Sequence, residues 1–141
     1  MNAINRKQKI KNMELISYGR ITENFKTIAQ LKDYFNKIKN KEIPSNRLDC
    51  YPTDKLNVKA LSAIINKFTA SKLDMPKDWE IFYPSDSYPS HTDEGGTSYF
   101  IGLESGNFTI GDISYPIVPY VLYSFEDSKL HNTDFGAIML K

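Results

Sequence analysis

The sequence predicts an α+β fold, a double-stranded β-helix or jelly roll buttressed by N-terminal helices. Three observations lead there. Apolar residues recur at three and four through two segments before residue 75, the period of amphipathic helices. After Pro76 the chain turns to short runs rich in Tyr, Phe, Ile and Ser, broken every few residues by Gly, Pro, Asn or Asp, the pattern of short strands. The length of 141 residues suits one domain with one core. Residues 1–75 are expected to be mainly helical support, and residues 76–141 the jelly-roll core.

In chain order, Glu14 to Gly19 reads as a short strand. From Thr22 to Asn40 the stripe Phe25, Ile28, Leu31, Tyr34, Phe35 and Ile38 predicts a helix, with Thr22, Glu23 and Asn24 supplying cap chemistry. Lys41 to Pro52, which holds Pro44, Ser45, Asn46 and Pro52, reads as a loop. A second helix is predicted from about Thr53 to Leu73 on Leu56, Val58, Leu61, Ile64, Ile65 and Phe68, introduced by Thr53-Asp54 and ended before Pro76. Both stripes read as core-facing, so the helices should cover a sheet.

Eight strands follow, over 79–83, 87–92, 98–103, 107–110, 113–118, 120–125, 129–132 and 136–141. Ser105-Gly106-Asn107 and Gly111-Asp112 read as hairpin connections. Tyr99, Ile101 and Leu103 alternate with Ser98, Phe100 and Gly102, which gives that strand two distinct faces. Helices followed by eight short strands fit a jelly roll with its helices on one side.

Composition narrows the functional classes. Hydrophobic content of 40% with 25% charged residues is that of a globular protein. No apolar run approaches the roughly 20 residues of a membrane span. The start Arg6-Lys7-Gln8-Lys9 runs into further polar residues instead of a signal-peptide core. The single cysteine, Cys50, excludes an internal disulfide framework and fits a reducing cytoplasm; it reads as a small, partly buried hydrophobe. Net charge is +1, with residues 1–60 at +7 and residues 61–141 at −6. That asymmetry suits a basic face for nucleic acid or another acidic partner, two complementary halves packing together, or lysine-rich solvent faces of helices, and no aromatic-interleaved basic motif supports nucleic acid.

The chemistry concentrates late in the chain. Its two histidines fall in the pattern His91-Thr92-Asp93, then His131, with Lys141 ten positions further on. In a strand, positions i and i+2 share a face, so His91 and Asp93 can aim at one ion. His131 from a later strand completes a 2-His-1-carboxylate facial triad, the ligand set of non-haem iron(II). A plainer alternative makes His91 a loop residue before the Asp93-Glu94-Gly95-Gly96 turn and His131 a satisfied sheet histidine. Tyr83, Tyr99, Tyr115, Tyr120 and Tyr123 suit the mouth of such a site or ordinary sheet packing.

On these residues the chain resembles the 2-oxoglutarate and iron(II)-dependent oxygenases, in particular small prolyl-hydroxylase-like and phage-type members, over about residues 79–141. The resemblance implies that His91, Asp93 and His131 hold Fe(II). It implies that Lys141 pairs with the distal carboxylate of 2-oxoglutarate and that Tyr88 also reaches this co-substrate. The implied reaction consumes O2 and 2-oxoglutarate, releases succinate and hydroxylates an unidentified substrate. Two other readings stay open: a non-catalytic jelly-roll structural or binding module, and a cupin-type metal enzyme that is independent of 2-oxoglutarate.

Overall fold

The computed structural model describes residues 14–22, 25–47, 49–69, 79–84, 90–93 and 95–140. Tyr88, Lys141, the expected cap partners Glu23 and Asn24, and the helix end expected before Pro76 lie outside the described residues. In order, the elements are β1 (Leu15–Arg20), α1 (Phe25–Lys39), β2 (Cys50–Tyr51), α2 (Val58–Thr69), β3 (Trp79–Phe82), β4 (Thr97–Gly102), β5 (Gly106–Ile110), β6 (Ile113–Ile117), β7 (Val121–Glu126), β8 (His131–Thr133) and β9 (Ala137–Leu140). They build two antiparallel sheets, one of six strands in the order β1-β7-β4-β9-β3-β2 and one of three in the order β6-β5-β8. The sheets are separate and do not close into a barrel. No helix among the described residues is long and apolar enough to cross a membrane.

Alternation along the six-stranded sheet explains the layers. Trp79, Ile81, Ile101, Leu122 and Ile138 point to one side, where they join Leu31, Phe35 and Ile38 of α1 and Leu61, Ile64 and Ile65 of α2 in one buried cluster. Their neighbours Phe100, Val121, Tyr123, Phe125 and Ala137 point to the other side and pack with Phe108, Ile110 and Ile117 of the small sheet. The predicted split of β4 holds: Ile101 is in the helix-side cluster with Tyr99 packed against it, and Phe100 is in the inter-sheet cluster. Within the inter-sheet cluster Phe100 lies 5.0 Å from Phe108 edge to face and 5.2 Å from Tyr123 in a stacked pair, geometries that suit the ring quadrupoles.

Several boundaries differ from the sequence reading. The second helix begins at Val58, because Asn57 caps it, its Oδ1 accepting the Ala60 N–H at 3.2 Å. Thr53 is drawn instead to the sheet, where its hydroxyl donates to the Trp79 carbonyl at 2.8 Å. Phe25, first of the expected stripe, is exposed at the helix start. The expected loop over 41–52 contains β2, which pairs with β3 through Cys50–Phe82 and Tyr51–Ile81. Gly111-Asp112 makes the expected hairpin between Ile110 and Ile113, with Gly111 at φ 57°, a conformation that favours glycine. The stretch around Gly106 is no hairpin. Strand β4 already has β7 on one edge and β9 on the other, so the chain leaves that sheet and β5 pairs in the small one.

Candidate metal centre

The site begins with one short strand. In β8, His131 and Thr133 are buried and Asn132 between them is more exposed, so the two flanking side chains face inward. Pairing with β5 sets His131 opposite Ile110 and Thr133 opposite Phe108, in the aromatic interior. The His131 ring lies 4.7 Å from Phe125 and 5.9 Å from Phe108.

The other edge of β8 receives His91. Residues 91 and 131 form an antiparallel bridge in which each N–H donates to the other's carbonyl, at 3.0 and 2.9 Å. Residues paired this way stand directly opposite and share a face, and the two imidazole centroids are 4.4 Å apart. Asp93, two positions on, is held by its N–H donating to the Asp127 carbonyl at 2.9 Å. Its Oδ2 lies 3.4 Å from Nε2 of His131 and 3.8 Å from Nε2 of His91. One cross-strand pair and one i+2 step therefore gather three donor atoms within 4.8 Å of one another. This grouping can hold a metal ion.

Chemistry of the donors fits that use. Nδ1 of His131 is 2.7 Å from the Lys129 carbonyl, and a carbonyl only accepts, so the ring proton sits on Nδ1. Nε2 is then the ring nitrogen nearest Asp93, and in the neutral ring it carries the lone pair that a metal ligand requires. His131 is 3% exposed. That burial lowers its pKa below the ordinary imidazole value, the Lys129 carbonyl opposes the shift, the His91 ring adds to it, and the Asp93 and Asp127 carboxylates oppose it. The neutral, ligating form is favoured.

The turn after Asp93 is fixed from the β7–β8 connection. Gly96 donates its N–H to Glu126 Oε1 at 2.8 Å, and Asp127 returns its N–H to the Gly96 carbonyl at 3.0 Å. The Gly96 bond holds the Glu126 carboxyl below its usual range, against the opposing effect of desolvation and with help from Ser128 and Lys129. Gly96 has φ 128°, a conformation closed to most side chains. Behind the triad, Ser98 donates to Asp127 Oδ2 at 2.7 Å; the buried Asp127 Oδ1 has no hydrogen-bond partner among the described residues.

A cavity of about 360 Å³ opens at the triad. Phe82, Phe125 and Met139 give it apolar walls, and Arg47 with Glu80 supplies further charge. Cys50 lines it as a half-buried side chain. The structure thus brings His91, Asp93 and His131 together, while Lys141 and Tyr88 lie outside the described residues. Of the two readings of the five tyrosines, sheet packing holds, and none of them lines this cavity. Tyr83, Tyr99 and Tyr120 pack against the helix-side cluster, and Tyr115 and Tyr123 belong with the inter-sheet cluster.

Sequence reasoning missed Ser98, Asp127, Arg47 and Glu80. The inward face of Ser98 was readable from its alternation with Tyr99. Arg47 and Glu80 are 33 residues apart, and nothing local relates them. No protein-family model, curated protein or solved structure matches this chain.

Proposed function

We propose that His91, Asp93 and His131 bind Fe(II) and that the protein is a 2-oxoglutarate-dependent oxygenase that hydroxylates its substrate. The single observation that carries the reading is the convergence of the three donor atoms within 4.8 Å, with the His131 proton committed to the Lys129 carbonyl. Two imidazoles and one carboxylate on one side of an ion leave positions for small molecules, the arrangement that suits non-haem iron.

The winding of the chain supports the double-stranded β-helix that goes with this reading. From β3 in the large sheet the chain reaches the His91 bridge beside β8, returns to β4, crosses to β5 and β6, returns to β7, crosses to β8 and returns to β9. Consecutive turns thus alternate between two facing sheets.

Iron(II) with 2-oxoglutarate supplies a hydroxylation in which one oxygen atom of O2 enters a C–H bond, the other enters succinate, and CO2 leaves. The protein's own residues bind and orient. Asp93 contributes the one negative charge of the ligand set, and the Lys129 carbonyl fixes the His131 ring. Phe82, Phe125 and Met139 limit water around the reacting carbon. In this reading Lys141 pairs with the distal carboxylate of 2-oxoglutarate and Tyr88 reaches the same co-substrate.

Anaerobic titration with iron(II) and then 2-oxoglutarate tests the reading. A visible charge-transfer band is expected with the full chain and not with His91→Ala or Asp93→Asn, whose iron affinity should fall at least about 100-fold, beyond the loss typical of an outer-shell partner. Folded wild-type protein that gives no band with both added sinks the proposal.

A further inference from the structure

Beside the triad, the cavity holds one pair of opposite charges among the described residues that line it, Arg47 and Glu80. Glu80 comes from β3, where it stands opposite Met139 of β9, and Arg47 comes from the segment before β2. The guanidinium meets the carboxylate in a two-point contact, with Nε donating to Oε2 at 3.3 Å and Nη2 to Oε1.

Stability does not account for the pair. Its side chains are 59% and 21% exposed, and ion pairs so open to water contribute little. The segment is already tied down by its backbone, through Asn46 N–H to the Cys50 carbonyl and Tyr83 N–H to the Asp49 carbonyl, both at 2.9 Å, and through pairing of β2 with β3.

We infer that Arg47 and Glu80 form the recognition element for a small zwitterion, a free amino acid, which is the substrate of this centre. Only the identity of that ligand as a substrate rests on the oxygenase reading; binding does not.

The argument is one of charge exchange. A plain carboxylate that approaches Arg47 also meets Glu80, and a plain amine that approaches Glu80 also meets Arg47, so either is repelled by the second member of the pair. A ligand with both groups on one carbon offers its carboxylate to the guanidinium fork and its ammonium to the Glu80 carboxylate. It exchanges the Arg47–Glu80 contact for one contact on each of the two side chains, and both ligand charges meet an opposite charge. Size points the same way. About 360 Å³ is near the lower end for ligand pockets, enough for a metabolite. The walls of Phe82, Phe125 and Met139 suit a neutral or apolar side chain. A residue inside a polypeptide lacks both charges and gains nothing from the pair.

The test is a ligand-observed NMR screen of the metal-loaded full chain against the protein L-amino acids, each hit repeated as its N-acetyl and its C-amide derivative. At least one neutral amino acid should bind, and each derivative should bind at least tenfold more weakly. Glu80→Gln and Arg47→Lys should weaken the free amino acid at least tenfold while iron affinity stays within about threefold and the circular dichroism is unchanged. The inference is overturned if no amino acid binds to protein that holds iron. It is also overturned if the N-acetyl form binds as well as the free form, which marks a bare-acid site, or if Glu80→Gln binds as tightly as wild type. Amino acid binding with both dependences in a chain that holds no iron supports the pair as an amino acid site and removes the oxygenase reading alone.

Discussion

The two faces of the six-stranded sheet use the same strands to different ends. Toward the helices, β3, β4, β7 and β9 present Trp79, Ile81, Ile101, Leu122 and Ile138, all 4% exposed or less. Polar groups there are few and matched, as where the Trp79 indole N–H donates to Ser62 at 3.1 Å or Tyr18 meets Ser124 at 2.8 Å. Toward the small sheet the same strands present Phe100, Tyr123 and Phe125 alongside Ser98, Glu80 and Met139, and there the packing gives way to a cavity. The difference teaches where this fold can hold polar chemistry. The helix-covered face has its own cavity of about 300 Å³, lined by Ile21, Thr22, Ile64, Lys67 and Phe68, but that cavity holds no cluster of metal-ligating side chains among the described residues, whereas the face that meets the three-stranded sheet sets its polar groups among aromatic rings.

Truncating one residue on each face should break that comparison most strongly. Phe100→Ala removes a fully buried ring that touches four other aromatic rings and should cost about 3–5 kcal/mol, and Leu122→Ala, fully buried on the helix side, about 2–5 kcal/mol. Denaturant unfolding measures both. Only Phe100→Ala should also alter the centre, because its ring lies 6.0 Å from Phe125, which lines the cavity and meets the His131 ring edge to face at 4.7 Å. Equal effects of the two variants on metal affinity would remove the distinction between the faces.

Between pH 7 and 5, acid should act first on the inner face. The folded state depresses the His131 pKa, so the unfolded chain takes up that proton first as pH falls. Stability from this group is fully present above the ordinary imidazole value of about 6.5 and is lost as pH falls through the lower folded value, at up to about 1.4 kcal/mol per pH unit. Unfolding of metal-free protein between pH 7 and 5, against His131→Gln, measures the slope. A slope unchanged by the substitution would assign acid sensitivity elsewhere.

The smallest effect belongs to the helix side. Asn57→Ala removes the cap on Ala60 and should cost about 1 kcal/mol in thermal or denaturant unfolding, with metal affinity unchanged. A change in metal affinity from so remote a site would mean that the two faces are coupled.

Much of this was legible in the sequence, for identifiable reasons. Helical stripes and strand alternation are local consequences of 3.6- and 2-residue periods, so both helices, the layers around β4 and the Gly111-Asp112 hairpin could be read directly. His91 and Asp93 share a face by parity alone. Boundaries governed by competition escaped, as where Thr53 left the helix for the Trp79 carbonyl and Asn57 took over the cap.

What the sequence by itself determined is the residue inventory: two helices, a strand-rich second half, and two histidines with one aspartate in metal-ligand order. Only the tertiary structure decided which strands became neighbours. That choice set His91 opposite His131, sent the chain from β4 into a second sheet, and brought Arg47 to Glu80 across 33 residues. The reason is physical. Periodicity records which way a side chain faces within its own element, whereas strand pairing depends on which edges remain open once the rest of the chain has folded.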